Sequence, residues 1–113
     1  MVRLSANIVF ISPTEYIKNG FIEVDENNIL TDLFSLDEVL SEPSSTQFLN
    51  GILVPFHIKE KNLLINKDGD LQFQLEETNP IQIKKGDKVS FWFISGEGLF
   101  CGNFSPISIS QII

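Results

Sequence analysis

Cysteine, histidine, alanine and tryptophan occur once each among the 113 residues, and no apolar run approaches the length of a membrane span. Each scarcity excludes something. A single thiol, Cys101, cannot form an internal disulfide. Its apolar surroundings, Leu99-Phe100-Cys101-Gly102, carry no cation to activate it, so a buried free thiol is expected. The lack of paired cysteines fits a reducing compartment. A single histidine, His57, rules out a two-imidazole metal site within the chain and leaves one candidate base for nucleophilic catalysis. A structural or surface role is expected of it. Basic residues are also few: 8 Lys and Arg face 15 Asp and Glu, for a net charge of −7. That sign opposes non-specific binding to nucleic acid and to anionic membranes. The one basic cluster, Lys84-Lys85-Gly86-Asp87-Lys88, reads as a solvated turn. Residues 1–8 lack a long apolar h-region, so no signal peptide and a cytoplasmic location are expected.

What is present favours strands. The chain holds fifteen isoleucines and ten phenylalanines but only Ala6 as alanine. Its length fits a single domain over residues 1–113, burying roughly two-thirds of the unfolded chain's surface. Arg3 to Ser12 reads as a strand, followed by a turn at Ser12-Pro13-Thr14-Glu15. Lys18-Asn19-Gly20 reads as a second turn, because Asn-Gly is a strong local turn signal. Phe21–Asp25 and Ile29–Phe34 form two short strands about Glu26-Asn27-Asn28. A short helix is expected near Ser35–Ser41: Ser35 and Glu38 fit a capping box, and Leu36, Val39 and Leu40 share one helical face.

Thr46 to Ile58 is the most apolar segment, and Pro55 forces its strand to end, bulge or lie on an edge. Asn66-Lys67-Asp68-Gly69-Asp70 reads as a hairpin turn between Leu63–Ile65 and Leu71–Leu75. A turn at Lys84–Asp87 precedes an apolar run from Lys88 to Ser95, and Ile107 to Ile113 closes the chain as a strand. About eight short strands at this spacing imply an all-β fold, a β-sandwich or barrel.

Candidate chemistry is sparse. Asp25-Glu26-Asn27-Asn28 and Asp68-Gly69-Asp70 are oxygen-rich but lack the longer ligand series of a calcium loop, so both read as turns. Gly96-Glu97-Gly98 precedes a strand-like run and not a helix, so it lacks the setting of a phosphate loop. In Phe91-Trp92-Phe93 the two phenylalanines share one side of a strand and Trp92 takes the other. Trp92 thus either packs under a loop or second sheet, or marks a ligand or partner surface.

Several segments resemble a known family. Ala6-Asn7-Ile8-Val9-Phe10 is followed by Lys18-Asn19-Gly20-Phe21-Ile22-Glu23-Val24-Asp25-Glu26-Asn27-Asn28-Ile29, and then by Phe48-Leu49-Asn50-Gly51-Ile52-Leu53-Val54-Pro55. This order is similar to the N-terminal part of amidohydrolase-superfamily enzymes of the cytosine-deaminase and chlorohydrolase kind. There, a hairpin reading G-x-I-x-V-D-x-x-G-x-I leads to N-G-x-L-x-P-G-F-V-N-x-H-x-H, half of a small composite β-sandwich. Ile83-Lys84-Lys85-Gly86-Asp87-Lys88-Val89-Ser90-Phe91 resembles the segment that returns from the catalytic barrel to complete that sandwich, without its Ala-Asp pair. The family's glycine after the proline and its His-x-His metal ligands are replaced here by Phe56-His57-Ile58-Lys59. About 25 residues stand where the family has a metal-binding barrel, so none of its catalytic or metal residues carries over. The resemblance implies the sandwich domain standing alone as one β-sandwich of about eight short strands with one short helix.

The expected function is therefore a non-catalytic structural or protein-interaction module, with no catalytic, metal or cofactor residues. A barrel-less sandwich must cover the surface its barrel covered, so a homo-oligomer or a protein partner is expected. The candidate interaction surface is Trp92, Leu99, Phe100, Ile112 and Ile113. Two alternatives stand beside it: a sandwich subunit for a metal-dependent hydrolase whose barrel lies on another chain, and a small-ligand or carbohydrate binder using Trp92.

Overall fold

In the computed structural model the described residues are 1–39, 43–56, 63–65, 71–73, 82–95 and 108–113. Strands take up 62% of them and no α-helix occurs among them, so the chain is all-β. Six strands form one mixed sheet: β1 (Val2–Ser12), β2 (Glu15–Val24), β3 (Leu30–Ser35), β4 (Gln47–Val54), β7 (Trp92–Ser95) and β8 (Ser108–Gln111), in the order β3-β2-β1-β4-β7-β8. Two more, β5 (Leu63–Ile65) and β6 (Leu71–Phe73), pair with each other as a separate antiparallel ladder. Their pairing matches the expected hairpin, whose turn lies outside the described residues.

Strand β1 lies near the middle of the sheet. It pairs antiparallel with β2 and parallel with β4, and every other pairing in the sheet is antiparallel. The sheet buries apolar side chains on both faces. On one face Leu4, Ala6, Val9, Ile22, Val24, Leu30 and Leu53 form a core with Ile83, Val89 and Phe91. On the other, Ile8, Phe10, Ile52, Val54, Phe56 and Ile94 pack together, flanked by Tyr16, Trp92 and Ile109. Each fully buried Leu or Ile is worth about 1.5–3 kcal/mol of burial, so these clusters dominate the favourable side of folding.

The first face is roofed by the segment 82–91, which crosses it largely without joining a ladder. Its amides and carbonyls are met by turns and strand ends: Ile83 N–H donates to the Ile11 carbonyl, Gly86 N–H to Leu30, and Val89 N–H to Asn28, while Leu30 N–H donates back to Asp87. The expected turn at Lys84–Asp87 is present, with the Asp87 carboxylate accepting from Lys84 N–H at 3.0 Å. The strand expected over Lys88–Ser95 is shortened to Trp92–Ser95, because its first half is spent on this crossing.

Two sequence expectations are corrected. Lys18-Asn19-Gly20 is not a turn but the middle of β2, with Asn19 at φ 50°. Gly20 faces Val9 across the strand pair, and a Cβ there would lie 2.5 Å from Val9 Cγ2. Glycine is required for close approach, and the left-handed Asn19 lets the strand re-aim its side chains without ending. The short helix at Ser35–Ser41 is a single 3-10 turn, Leu36–Glu38. Ser35 does cap it, but through Asp37 N–H and not Glu38, and Val39 is already extended. The turn buries none of its residues, so nothing holds a longer amphipathic helix in place.

Other expectations match. Ser12 Oγ accepts from Thr14 and Glu15 in the first turn, Asp25–Ile29 closes the β2–β3 turn, and β4 ends at Val54 before Pro55.

Gly20→Ala is expected to destabilise the chain by about 1–3 kcal/mol, the usual cost of overpacking. In urea unfolding, Gly20→Ala/Val9→Gly should lose less stability than the sum of the two single variants, because only removing the whole Val9 side chain takes away both atoms, Cβ and Cγ2, that the new Cβ would meet.

Candidate functional site

On β4, Leu49 and Leu53 point into the first core, so Phe48 points to the opposite face. By the same alternation Ser5, between Leu4 and Ala6, shares that face. So does Phe21, beside Ile22, and Phe34, beside Leu33. The registers place Phe34 opposite Phe21, Phe21 opposite Ser5, and Ser5 opposite Phe48. Four strands therefore contribute one lateral row. Phe21 and Phe34 stack with centroids 4.6 Å apart at 27°. Phe21 and Ser5 are buried, whereas Phe48 is 55% exposed. The row runs from a closed aromatic pair to an aromatic ring open to water.

Beyond the row the sheet changes phase. Ala6 belongs to the first core and Ile8 to the second, so β1 inverts its alternation at Asn7. In register, Asn7 falls opposite Asn19, between the pairs Ala6–Gly20 and Ile8–Lys18. The β1–β4 register shifts at the same level, where Asn50 and Gly51 take up one extra residue. Gly51 is needed there because a Cβ would collide with the Ile94 carbonyl and the Phe93 ring. An asparagine thus sits at the inversion on each of three adjacent strands. Asn19 Nδ2 donates to the Asp37 carboxylate at 3.1 Å and so tethers the 3-10 turn.

Two buried polar atoms on β1 have no hydrogen-bond partner, Ser5 Oγ and Asn7 Oδ1. Leaving such a group unpaired costs about 1–3 kcal/mol, so each is a weak point that packing elsewhere offsets.

In the next lateral row, Arg3–Glu23–Asp32, charge is arranged around Arg3. Its Nε donates to Glu23 at 2.8 Å and its Nη1 to the Ser44 carbonyl at 2.9 Å. Arg3 thereby ties β1, β2 and the approach to β4. The hydrogen bond from Arg3, then that from Thr31, holds the Glu23 carboxyl below its ordinary value of 4.5.

Of the expected surface residues, Trp92, Ile112 and Ile113 are described. Trp92 is half-buried against the second core, and Ile113 packs against the first, on opposite faces. Phe91 and Phe93 take the side opposite Trp92, as their alternation implies. Ile112 is 39% exposed. Leu99, Phe100, His57, Cys101 and the Gly96–Gly98 turn lie outside the described residues. The acidic turn at Asp25 spends its carboxylate on itself, Oδ1 accepting from Asn27 and Ile29 N–H at 2.8 and 3.0 Å. Among the described residues no three His, Cys, Asp or Glu side chains gather where they could hold a metal ion. No helix among them is long and apolar enough to cross a membrane.

Phe48, Ser5 and Asn7 were absent from the sequence-based candidates. Phe48 opens an apolar run and carries no local sign of exposure. Only its pairing with Ser5, more than forty residues earlier, sets its face. No protein-family model, curated protein or solved structure matches the chain.

Ser5→Ala is expected to leave the fold intact and raise stability by up to about 1 kcal/mol, because it removes an unpaired buried hydroxyl. A lower urea midpoint would reveal a hydrogen bond at Ser5. Glu23, depressed by its partners, contributes stability that is present above its unfolded value and lost as pH falls through its folded one. The stability gap between wild type and Glu23→Gln should therefore be full at pH 7 and close as pH falls below 4.5 in denaturation series.

Proposed function

We propose that the chain is a non-catalytic protein-interaction module, a free-standing β-sandwich of the kind that amidohydrolases carry beside their catalytic barrel. In this reading β5–β6 supplies part of the second layer, and the chain acts by associating with a second copy or a protein partner in the cytoplasm. The observation that carries it is Phe48: a large aromatic side chain 55% exposed on a paired strand, at the open end of a row that is otherwise buried or half-buried. An aromatic ring on a rigid element offers contact area at little entropic cost, which is how interface anchors work. The tethering of β1, β2 and the start of β4 by Arg3 supports it, since it fixes the backbone from which Phe48 projects. Half-burial of Trp92 against Val54 and Ile94 favours packing over a sugar platform. The split-hydrolase alternative keeps the same surface and assigns it to a barrel-bearing chain.

Phe48→Asp tests this. The variant should melt close to wild type and weaken recovery of a stoichiometric protein partner by about 2 kcal/mol, roughly 30-fold. If wild type binds neither itself nor another protein, the interaction reading fails; if Phe48→Asp captures a partner equally well, the Phe48 surface fails. Co-purification of a barrel-type hydrolase at fixed stoichiometry would select the split-enzyme alternative.

A further inference from the structure

The two edges of the six-stranded sheet are treated differently. On β3, Leu30 exchanges hydrogen bonds with Gly86 and Asp87 of the crossing segment. Leu33 N–H is taken by the neighbouring Asp32 carboxylate at 3.0 Å, and Asp32 also pairs with Lys85 at 3.1 Å. This edge is charged and its Leu30 and Leu33 amides are occupied, the usual protection of a strand edge against intermolecular pairing.

At the β8 edge the described residues show neither protection. No charged side chain occurs from Gly98 to Ile113, and β8 itself reads Ser-Ile-Ser-Gln. Its backbone pattern is fixed by its far end. Ile112 and Ile113 N–H both donate to the Phe91 carbonyl, and Phe91 N–H donates to Ile113, a bulge that closes the β7–β8 ladder. Alternation from Ile112 directs the Ser110 and Ser108 amides toward β7 and the Ile109 and Gln111 amides outward. Among the described residues nothing pairs with that outward side.

We propose that β8 is where a second copy of this chain pairs, antiparallel, with Ser110 on the two-fold axis. This rests on the association reading and gives a second copy a surface of its own, apart from the Phe48 ring that a different protein would meet. In that register Ile109 exchanges both backbone hydrogen bonds with the partner's Gln111, and Gln111 with the partner's Ile109. Ser110 meets its own copy in the non-hydrogen-bonded position. A second copy fits this edge because antiparallel self-pairing is two-fold symmetric. The strand is also uncharged, so the edges can meet although each chain carries −7. Four residues per strand make a small interface, so a weak, concentration-dependent dimer is expected.

The test combines sedimentation with cysteine trapping. Wild type should shift from dimer to monomer on dilution, and Ser110→Lys, which sets like charges face to face on the axis, should remain monomeric while melting close to wild type. In a chain carrying Cys101→Ser, Ser110→Cys should form a disulfide-linked dimer under mild oxidation, because non-hydrogen-bonded antiparallel partners lie within disulfide reach. Ser108→Cys should cross-link far less. A monomer at every concentration, with no cross-link at position 110, overturns both the inference and self-association, leaving only a different protein as partner. A dimer that resists Ser110→Lys, or that cross-links equally at 108 and 110, overturns the β8 edge while association stands.

Discussion

Strand β1 is covered on both faces and paired along both edges, and the other strands are placed by those constraints. Leu4, Ala6 and Val9 serve one core while Ile8 and Phe10 serve the other, so a single strand fills two interiors. A regularly alternating strand divides its side chains by odd and even position. The inversion at Asn7 breaks that rule, and neighbouring strands must follow. β2 inverts with it at Asn19, and β4 absorbs the mismatch with an extra residue at Asn50-Gly51. The glycines beside two of these asparagines are the positions where the inverted strands come too close for a Cβ. The Asn-Gly pairs therefore serve strand geometry and not chain reversal.

The parallel pairing of β1 with β4 follows from the same centre. A parallel partner needs a long connection, and β2, β3 and the 3-10 turn supply it. That connection is pinned where it could slip. Arg3 holds Glu23 and the Ser44 carbonyl together, Asn19 holds Asp37, and Ser35 Oγ donates to the Lys18 carbonyl. These polar ties are mostly exposed and individually weak. Their value is positional, because each joins segments that a one-residue slip would separate, and such a slip would turn every buried side chain of a strand outward.

Much of this was legible in the sequence where local chemistry decides. The turn at Pro13-Thr14, the Asp25 turn, the end of β4 before Pro55, the pairing of Leu63–Ile65 with Leu71–Phe73, and the opposite faces of Phe91 and Trp92 all follow from residues close in the chain. The failures arise where distant contacts outweigh local preference. Asn19-Gly20 has a strong local turn signal, yet Val9, eleven residues before Gly20, requires a glycine in a strand there. Ser35-Leu36-Asp37-Glu38 has a helix start, but no core face receives Leu36 or Val39, and the helix stops after one turn. The segment before Trp92 has strand composition but is drawn across the first core. The family resemblance rests on the segments around Asn19-Gly20 and Asn50-Gly51, which are also where this sheet inverts.

The same physics bears on where association is best accommodated. Phe48, the open ring of the aromatic row, stands where β4 has not yet reached β7 in register and two strands in from the β8 edge, so the two surfaces are separate. The β3 edge cannot take another strand without first displacing Asp32 from Leu33 and the 86–87 backbone from Leu30. Each displacement would strip a backbone group of its partner before a new one formed. The outward amides of β8 have no partner to lose among the described residues. Edge pairing there would add hydrogen bonds without breaking any among the described residues, whereas pairing at β3 would have to break them first.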